Sequence, residues 1–119
     1  DTVSIETEVD DIMIDVESVI PVGLVINELV ANAMKHAFPE GRKGNIKVSL
    51  KQEDTDLLLS IYDNGVGLPE DFKLKDNKSF GFIMINAFIK KMKGKLNISR
   101  YNGTFIHLVF PYSKKELYA

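Results

Sequence analysis

Cysteine is absent from this chain of 119 residues, and its absence excludes several kinds of chemistry. Without cysteine there is no disulfide framework, no thiolate metal site and no cysteine nucleophile. An excess of charge is absent too, because 15 basic and 17 acidic residues give a net charge of −2. The chain therefore has neither the basic field expected for wrapping nucleic acid nor the acidic tracts of a disordered protein.

Long hydrophobic runs and targeting segments are also missing. No apolar run approaches the roughly 20 residues that span a bilayer, and the start of the chain does not resemble a signal peptide. We therefore expect no membrane segment in this chain and a cytoplasmic location, in a parent protein that could be membrane-anchored. With 45% hydrophobic residues, residues 1–119 can form a single domain with a genuine core. Because the chain begins with Asp rather than Met, we expect it to be part of a longer protein.

The apolar periodicity changes several times along the chain and predicts mixed secondary structure. Strands are predicted at residues 2–9, 12–16, 46–50, 57–62, 95–100 and 104–110, with the last two joined at Asn102-Gly103. A long helix is predicted from a Ser18 cap to Phe38-Pro39, with Pro21 in its first turn. A second helix is predicted over residues 82–92, closed by Gly94. Strict βαβ alternation is absent, so we predict an α+β two-layer sandwich.

The long helix is the most informative element. At about 100° per residue, its apolar side is predicted to comprise Val22, Ile26, Leu29, Val30, Ala33, Met34 and Ala37. Glu28, Asn32, Lys35 and His36 gather on the other side, within about two turns. Such groups can hold a metal ion and a phosphate chain, but a solvated face has the same composition. Asparagine is a poor residue inside a helix, so its presence at positions 27 and 32 favours a site.

Three further segments carry possible chemistry, although each is common when taken alone. Asp63-Asn64-Gly65-Val66-Gly67 follows an apolar strand, where a carboxylate and a close backbone could meet a flat ligand bearing an amine. The segment 78–82, which contains Gly81, leads into a helix, whose free N–H groups suit a polyphosphate. Thr104, at the head of the final strand, could place a hydroxyl near a base edge, although threonine is also simply a good strand former.

The order of these four segments resembles the ATP-binding catalytic domain of sensor histidine kinases. That family shares a superfamily with gyrase, the Hsp90 chaperones and the MutL repair proteins. The likeness runs from about Ile12 to Phe110 and is closest to the subgroup whose helix reads Pro-x-Gly-Leu-x-x-Asn-Glu-Leu-x-x-Asn-x-x-Lys-His-Ala-Phe-Pro, here Pro21 to Pro39. The resemblance implies the Bergerat ATP-binding fold, in which helices cover one face of a mixed sheet.

The resemblance also implies a role for each motif residue. Asn32 is expected to hold Mg²⁺ against the ATP phosphates, and Glu28 is expected to be the catalytic, polarising carboxylate near the γ-phosphate. On the phosphate side, the resemblance implies nucleotide-binding roles for Asn27, which belongs to the same motif as Glu28, for Lys35 and His36 near phosphates or ribose, and for Ser79 and Gly81 at the phosphates. On the adenine side, it implies such roles for Asp63 at the adenine amine, Gly65 and Gly67 beneath the base, and Thr104 at the adenine end. Residues 69–80 are expected to form an ATP lid that offers Lys73, Lys75 and Lys78 to the triphosphate.

The implied function is Mg·ATP-dependent transfer of the γ-phosphate to a histidine on a neighbouring dimerisation domain. We expect a homodimeric parent protein that serves a response regulator, and no self-phosphorylation by this chain alone. Neither His36, on the site helix, nor His107, in a strand, is an evident acceptor. An anti-sigma-type serine kinase and a non-catalytic nucleotide-binding regulatory module remain alternatives. Phe80 and Phe82 flank Gly81 where the subgroup has glycine or leucine, and we expect these rings to pack on the core rather than latch the lid.

Overall fold

The computed structural model describes residues 3–11, 16–38, 43–66, 80–100 and 102–112. These ranges contain five strands and two helices. In chain order they are β1 (Val3–Val9), α1 (Val16–His36), β2 (Gly44–Glu53), β3 (Asp56–Asp63), α2 (Phe80–Lys91), β4 (Lys95–Ser99) and β5 (Thr104–Pro111). The strands form one sheet in the order β1-β2-β3-β5-β4. β1 runs parallel to β2, and the other neighbouring pairs are antiparallel. The predicted α+β sandwich with a mixed sheet is confirmed.

The core lies between the sheet and the two helices, because alternate strand residues point to the same face. The register aligns Leu50, Leu59 and Leu108 across three neighbouring strands, and all three are buried. Phe88 of α2 meets Phe110 of β5 edge to face, with ring centroids 5.5 Å apart. The alternating residues on the other face are less buried, and they include His107, as expected for a strand-face residue.

The start of α1 differs from the prediction. The helix begins at Val16, so the predicted strand at 12–16 is wrong at its last residue, and residues 12–15 lie outside the described ranges. Ser18 is a buried residue of the first turn rather than the N-cap. Pro21 is the sixth helical residue and not part of the first turn, so it removes one intrahelical hydrogen bond.

The buried side of α1 is rotated from the predicted side. Val25 is fully buried, whereas Met34, predicted to face the core, is 48% exposed. The buried stripe runs through Val22, Val25 and Leu29, which pack against the sheet and α2. By length and composition alone, Glu17–Lys35 would pass as a membrane span, with a mean hydropathy of 1.2. Within this helix, Val25 and Leu29 lie in the hydrophobic core of the domain.

The two hairpins and the end of α2 follow from local sequence. Asp54, with φ of 53°, turns the β2–β3 hairpin, and Asn102 and Gly103, with φ of 52° and 126°, precede β5. At the end of α2, Gly94 N–H donates to the Ile89 carbonyl at 2.8 Å and Lys93 N–H donates to Lys90 at 3.3 Å. This is a Schellman ending, but its left-handed residue is Lys93, with φ of 57°, rather than glycine.

Candidate functional site

Glu28 and Asn32 lie one turn apart on α1, on the flank of its buried stripe. Both are partly buried, because the stripe through Val25 and Leu29 faces the core beside them. Consecutive helical residues diverge by about 100°, so Asn27 is directed away from Glu28, and its side chain is exposed. The structure therefore brings Glu28 and Asn32 together and leaves Asn27 apart from them.

The Asn32 amide has an unusual environment. Its Nδ2 atom is buried and has no hydrogen-bond partner among the described residues. A buried amide nitrogen without a partner costs about 1–3 kcal/mol. Rotation of the amide by 180° exchanges its nitrogen and its oxygen, so the position can present a donor to a phosphate or an acceptor to a cation. An Mg²⁺·phosphate ligand therefore fits this position.

The start of α2 lies directly against Glu28. A Cβ atom built on Gly81, the second residue of α2, would overlap the Glu28 carboxylate and come within 2.6 Å of its Cγ. The carboxylate thus lies at the first turn of α2, where the helix dipole favours negative charge. The two phenylalanines on either side of Gly81 have different environments: Phe82 is buried in the core, and Phe80 is 82% exposed. The prediction that both rings pack on the core is right for Phe82 and wrong for Phe80.

Asp63, the last residue of β3, presents a buried carboxylate. The residue is only 5% exposed, at a strand end where the sequence predicted either a carboxylate that meets an amine or a simple turn. The Gly65 N–H donates to its Oδ1 at 3.0 Å, and the backbone N–H of Thr104 also donates to the carboxylate. Burial raises the pKa of Asp63, while the two backbone hydrogen bonds pull that pKa down. Two orienting donors and a dry setting are suited to an acceptor that recognises an amine.

Close backbone contacts hold Asp63 beside α1 and β5. Gly65 lies so near Ala37 that a Cβ atom would overlap the Ala37 carbonyl, and Val66 N–H donates to that carbonyl at 2.9 Å. Gly103 lies equally close to the Asp63 carbonyl, at a φ of 126° that favours glycine. This carries Thr104, which is 3% exposed, alongside the carboxylate.

Two asparagines support the site in ways that the sequence did not indicate: Asn64, named above only as part of the turn segment, and Asn45, on β2. Asn45 N–H donates to Asn64 Oδ1 at 2.8 Å, and Asn64 N–H donates to the Asn45 carbonyl at 3.2 Å. These bonds fix the loop after Asp63 to β2. The Asp-Asn-Gly string signalled a turn here, but the partner at position 45 is distant in sequence and left no local signal.

The structure does not place every predicted residue. Lys35 is exposed on α1, and the side chain of His36 lies outside the described residues. Gly67, Ser79 and the lid lysines at 73, 75 and 78 are also outside them, as is all of the predicted lid except Phe80. Within the described ranges, no group of three or more His, Asp or Glu side chains is arranged to hold a metal ion.

Comparison with known proteins identifies the family of the chain. A family model described as "Histidine kinase-, DNA gyrase B-, and HSP90-like ATPase" matches residues 17–114. The chain belongs to this family. The match covers α1 from its second residue onward, with Glu28 and Asn32, and all of α2. It also covers the strand that ends with Asp63 and the strand that begins with Thr104. The family resemblance expected from the order of the motifs is confirmed.

Individual proteins are also similar to this chain. Blue-light-activated histidine kinase 2 of Erythrobacter litoralis is 24% identical over 116 residues, which cover 96% of this chain and 34% of that protein. The anti-sigma F factor of Bacillus licheniformis is 28% identical over 102 residues, covering 77% of this chain and 68% of that protein. The histidine kinase domain of an Erythrobacter litoralis blue-light-activated kinase has a TM-score of 0.87 at 23% identity, covering 97% of this chain and 54% of that one. This ATPase-family domain therefore spans about a third of the kinase it matches in sequence.

Proposed function

We propose that this ATPase-family domain binds Mg·ATP and transfers the γ-phosphate to a histidine on a neighbouring dimerisation domain. The observation that carries the proposal is the buried Asp63 carboxylate, oriented by the Gly65 and Thr104 N–H groups. It supports an adenine site because the exocyclic amine of adenine is a donor, whereas guanine presents an acceptor oxygen at the same ring position. A carboxylate that only accepts hydrogen bonds can therefore pair with the adenine amine.

The other end of the site is suited to the phosphates. Asn32 would hold Mg²⁺ with the phosphate oxygens, since this ion needs few protein ligands and keeps several waters. The ion, when bound, neutralises phosphate charge, and phosphoryl transfer asks the protein mainly for positioning and charge balance. Glu28, at the first turn of α2, is proposed to orient the acceptor or tune its charge, because a neutral imidazole already offers a lone pair.

The binding proposal is tested by titrating ATP with Mg²⁺ and with EDTA. Asn32→Ala is expected to weaken binding about 10–100-fold in Mg²⁺ and to reduce the Mg²⁺ dependence, because the variant loses one ion ligand and its buried amide. Asn97→Ala is the matched control, because Asn97 is an exposed asparagine on β4. This variant should bind ATP with the affinity of the wild type. Equal ATP affinity with and without Mg²⁺ in the wild type would contradict the proposed metal role of Asn32.

The residue that accepts the γ-phosphate distinguishes the proposed histidine kinase from a second candidate, a serine kinase. Similarity to an anti-sigma F factor over 68% of that protein favours serine phosphorylation as the alternative. We therefore propose incubating the full-length parent protein, with its partners, in Mg·ATP and treating the product with acid. Acid-labile phosphate supports a histidine acceptor, and acid-stable phosphate supports a serine acceptor. Binding without any transfer would indicate a regulatory module instead.

The cellular setting is part of the same proposal. We propose a homodimeric parent whose dimerisation domain bears the histidine and whose phosphate passes to a response regulator in the cytoplasm. The domain's length relative to its kinase relatives supports additional domains in the parent, since it spans 34% of one of them.

A further inference from the structure

The contact between Gly81 and Glu28 joins two elements that are distant in the sequence, because Glu28 lies on α1 and Gly81 lies at the start of α2. The atoms nearest to a Cβ on Gly81 are Oε1, Cδ and Cγ of Glu28, all at the far end of one flexible side chain. By contrast, the nearest atoms at Gly65 and Gly103 include backbone carbonyl oxygens. Addition of a methyl group at position 81 would therefore displace the Glu28 carboxylate and leave the backbone in place.

A second helical glycine supplies an internal reference. Gly23 of α1 is exposed, and a Cβ atom built there would meet no atom of the described residues within 4 Å. Neither Gly23 nor Gly81 has a positive φ, so alanine is compatible with the backbone at both positions. Alanine favours a helix over glycine, so both substitutions gain local preference, and the gain is larger at Gly23, inside α1, than at Gly81, in the first turn of α2. They differ in whether the new methyl group meets Glu28.

From this difference we infer that Gly81 is a positioning residue that acts through Glu28. Its missing Cβ leaves the space in which the Glu28 carboxylate rests at the first turn of α2. The carboxylate's place relative to the reacting phosphate is therefore set by a glycine on another element. The inference rests on the proposed function, and it differs from the expectation that Gly81 serves by meeting the phosphates itself.

The contact is tested first in nucleotide-free protein, independently of any activity. Glu28→Ala should shift the backbone amide resonances of Gly81 and Phe82, although they are more than 50 positions away in the sequence. Gly81→Ala and Gly23→Ala should unfold within about 4 °C of each other, since a flexible side chain can move aside. Unchanged amide resonances of Gly81 and Phe82 in Glu28→Ala would overturn the inference. So would an unfolding temperature of Gly81→Ala well below that of Gly23→Ala.

The functional test is a double-mutant cycle in the full-length parent protein. Gly81→Ala should lower the phosphotransfer rate about 10²-fold, because small misplacements of a catalytic group have effects of that size. The dissociation constant for Mg·ATP should change less than about threefold, because the nucleotide contacts themselves remain. In the Glu28→Ala background, Gly81→Ala should have almost no further effect, since the group it displaces is gone. Gly23→Ala should match the wild type in both measurements.

The possible failures are distinguishable. If Gly81→Ala weakens Mg·ATP binding equally with Glu28 present or absent, Gly81 acts on the phosphates directly and the inference is wrong. Full phosphotransfer by Gly81→Ala would also reject it. If the wild-type protein fails to bind Mg·ATP, or transfers no phosphate, the proposed function fails, whatever the amide resonances show about the contact.

Discussion

Replacing Asp63 by asparagine should separate nucleotide binding from folding stability. The carboxylate accepts hydrogen bonds from two backbone N–H groups, Gly65 and Thr104, and it is almost completely buried. Asparagine has nearly the same shape but only one acceptor oxygen, and its other terminal group is a donor. If that oxygen keeps the backbone bonds, the amide nitrogen faces the adenine amine, donor against donor. If the amide rotates, the nitrogen faces the backbone donors instead.

Either orientation weakens adenine recognition. A hydrogen bond to a charged group contributes about 1.5–3 kcal/mol, and an unpaired buried donor costs about 1–3 kcal/mol. A combined loss of roughly 2–4 kcal/mol corresponds to about a 30–1000-fold weaker dissociation constant for ATP. Isothermal titration at pH 7 measures it directly. Asp56→Asn, at the opposite end of the same strand, is the control and should bind ATP normally.

Folding stability should change in the opposite direction. Because burial raises the pKa of Asp63 in the folded protein, the native state holds its proton at pH values where the unfolded chain has released it. The free energy of unfolding therefore falls as pH rises through that window, and the loss persists at pH 7. Asp63→Asn removes this charge, so we expect it to be at least as stable as wild type at pH 7. The advantage should disappear below about pH 3.5, where both side chains are neutral.

Urea denaturation at both pH values measures the difference. If Asp63→Asn binds ATP more weakly but is as stable as the wild type at pH 7, the result would support a carboxylate that recognises adenine and lowers the free energy of unfolding. A destabilised Asp63→Asn variant at pH 7 would instead show that the charge has a structural role, and unchanged ATP affinity would refute the adenine assignment.

Two further predictions concern positions where the neighbouring atoms decide the outcome. Phe82→Ala should lower the free energy of unfolding by about 3–5 kcal/mol, because Phe82 is in the core. Phe80→Ala, at an 82% exposed position, should change it by less than about 0.5 kcal/mol; similar losses in urea denaturation would contradict their assigned burial. Gly103→Ala should destabilise by about 1–3 kcal/mol and weaken ATP binding, since both its φ of 126° and the Asp63 carbonyl exclude a side chain. Full stability of Gly103→Ala would show that this turn relaxes freely.

Sequence reasoning succeeded where the determining interactions are local. Alternation at period two located the β2–β3 pair, and Asn102-Gly103 located the last turn, because strand faces and left-handed turns depend on adjacent residues. The order of the motifs identified the family, since it combines four segments that are individually common. These features need no knowledge of what packs against them.

Prediction failed where distant packing selects among local possibilities. α1 is apolar around much of its circumference, so the sequence could not show that Val25 rather than Met34 faces the core. That choice is made by the sheet and α2. Likewise, Lys93 takes the left-handed position that glycine usually occupies, because the hydrogen bonds to Ile89 and Lys90 close the end of the helix around it. Local preference is a weak guide when tertiary contacts outweigh it.

Three glycines lie at the candidate site, and substitutions at them should have different consequences. Gly65 lies against backbone atoms of Ala37, and Gly103 lies against backbone atoms of Asp63. A side chain at either position would therefore have to displace main chain. At Gly81 the three nearest atoms of the described residues all belong to the Glu28 side chain. Substitution at the first two should therefore reduce stability and binding together, whereas substitution at the third should displace one carboxylate and spare the fold. The proposed adenine end is thus bounded by backbone atoms, and the proposed phosphate end depends on the Glu28 side chain, which lies against α2.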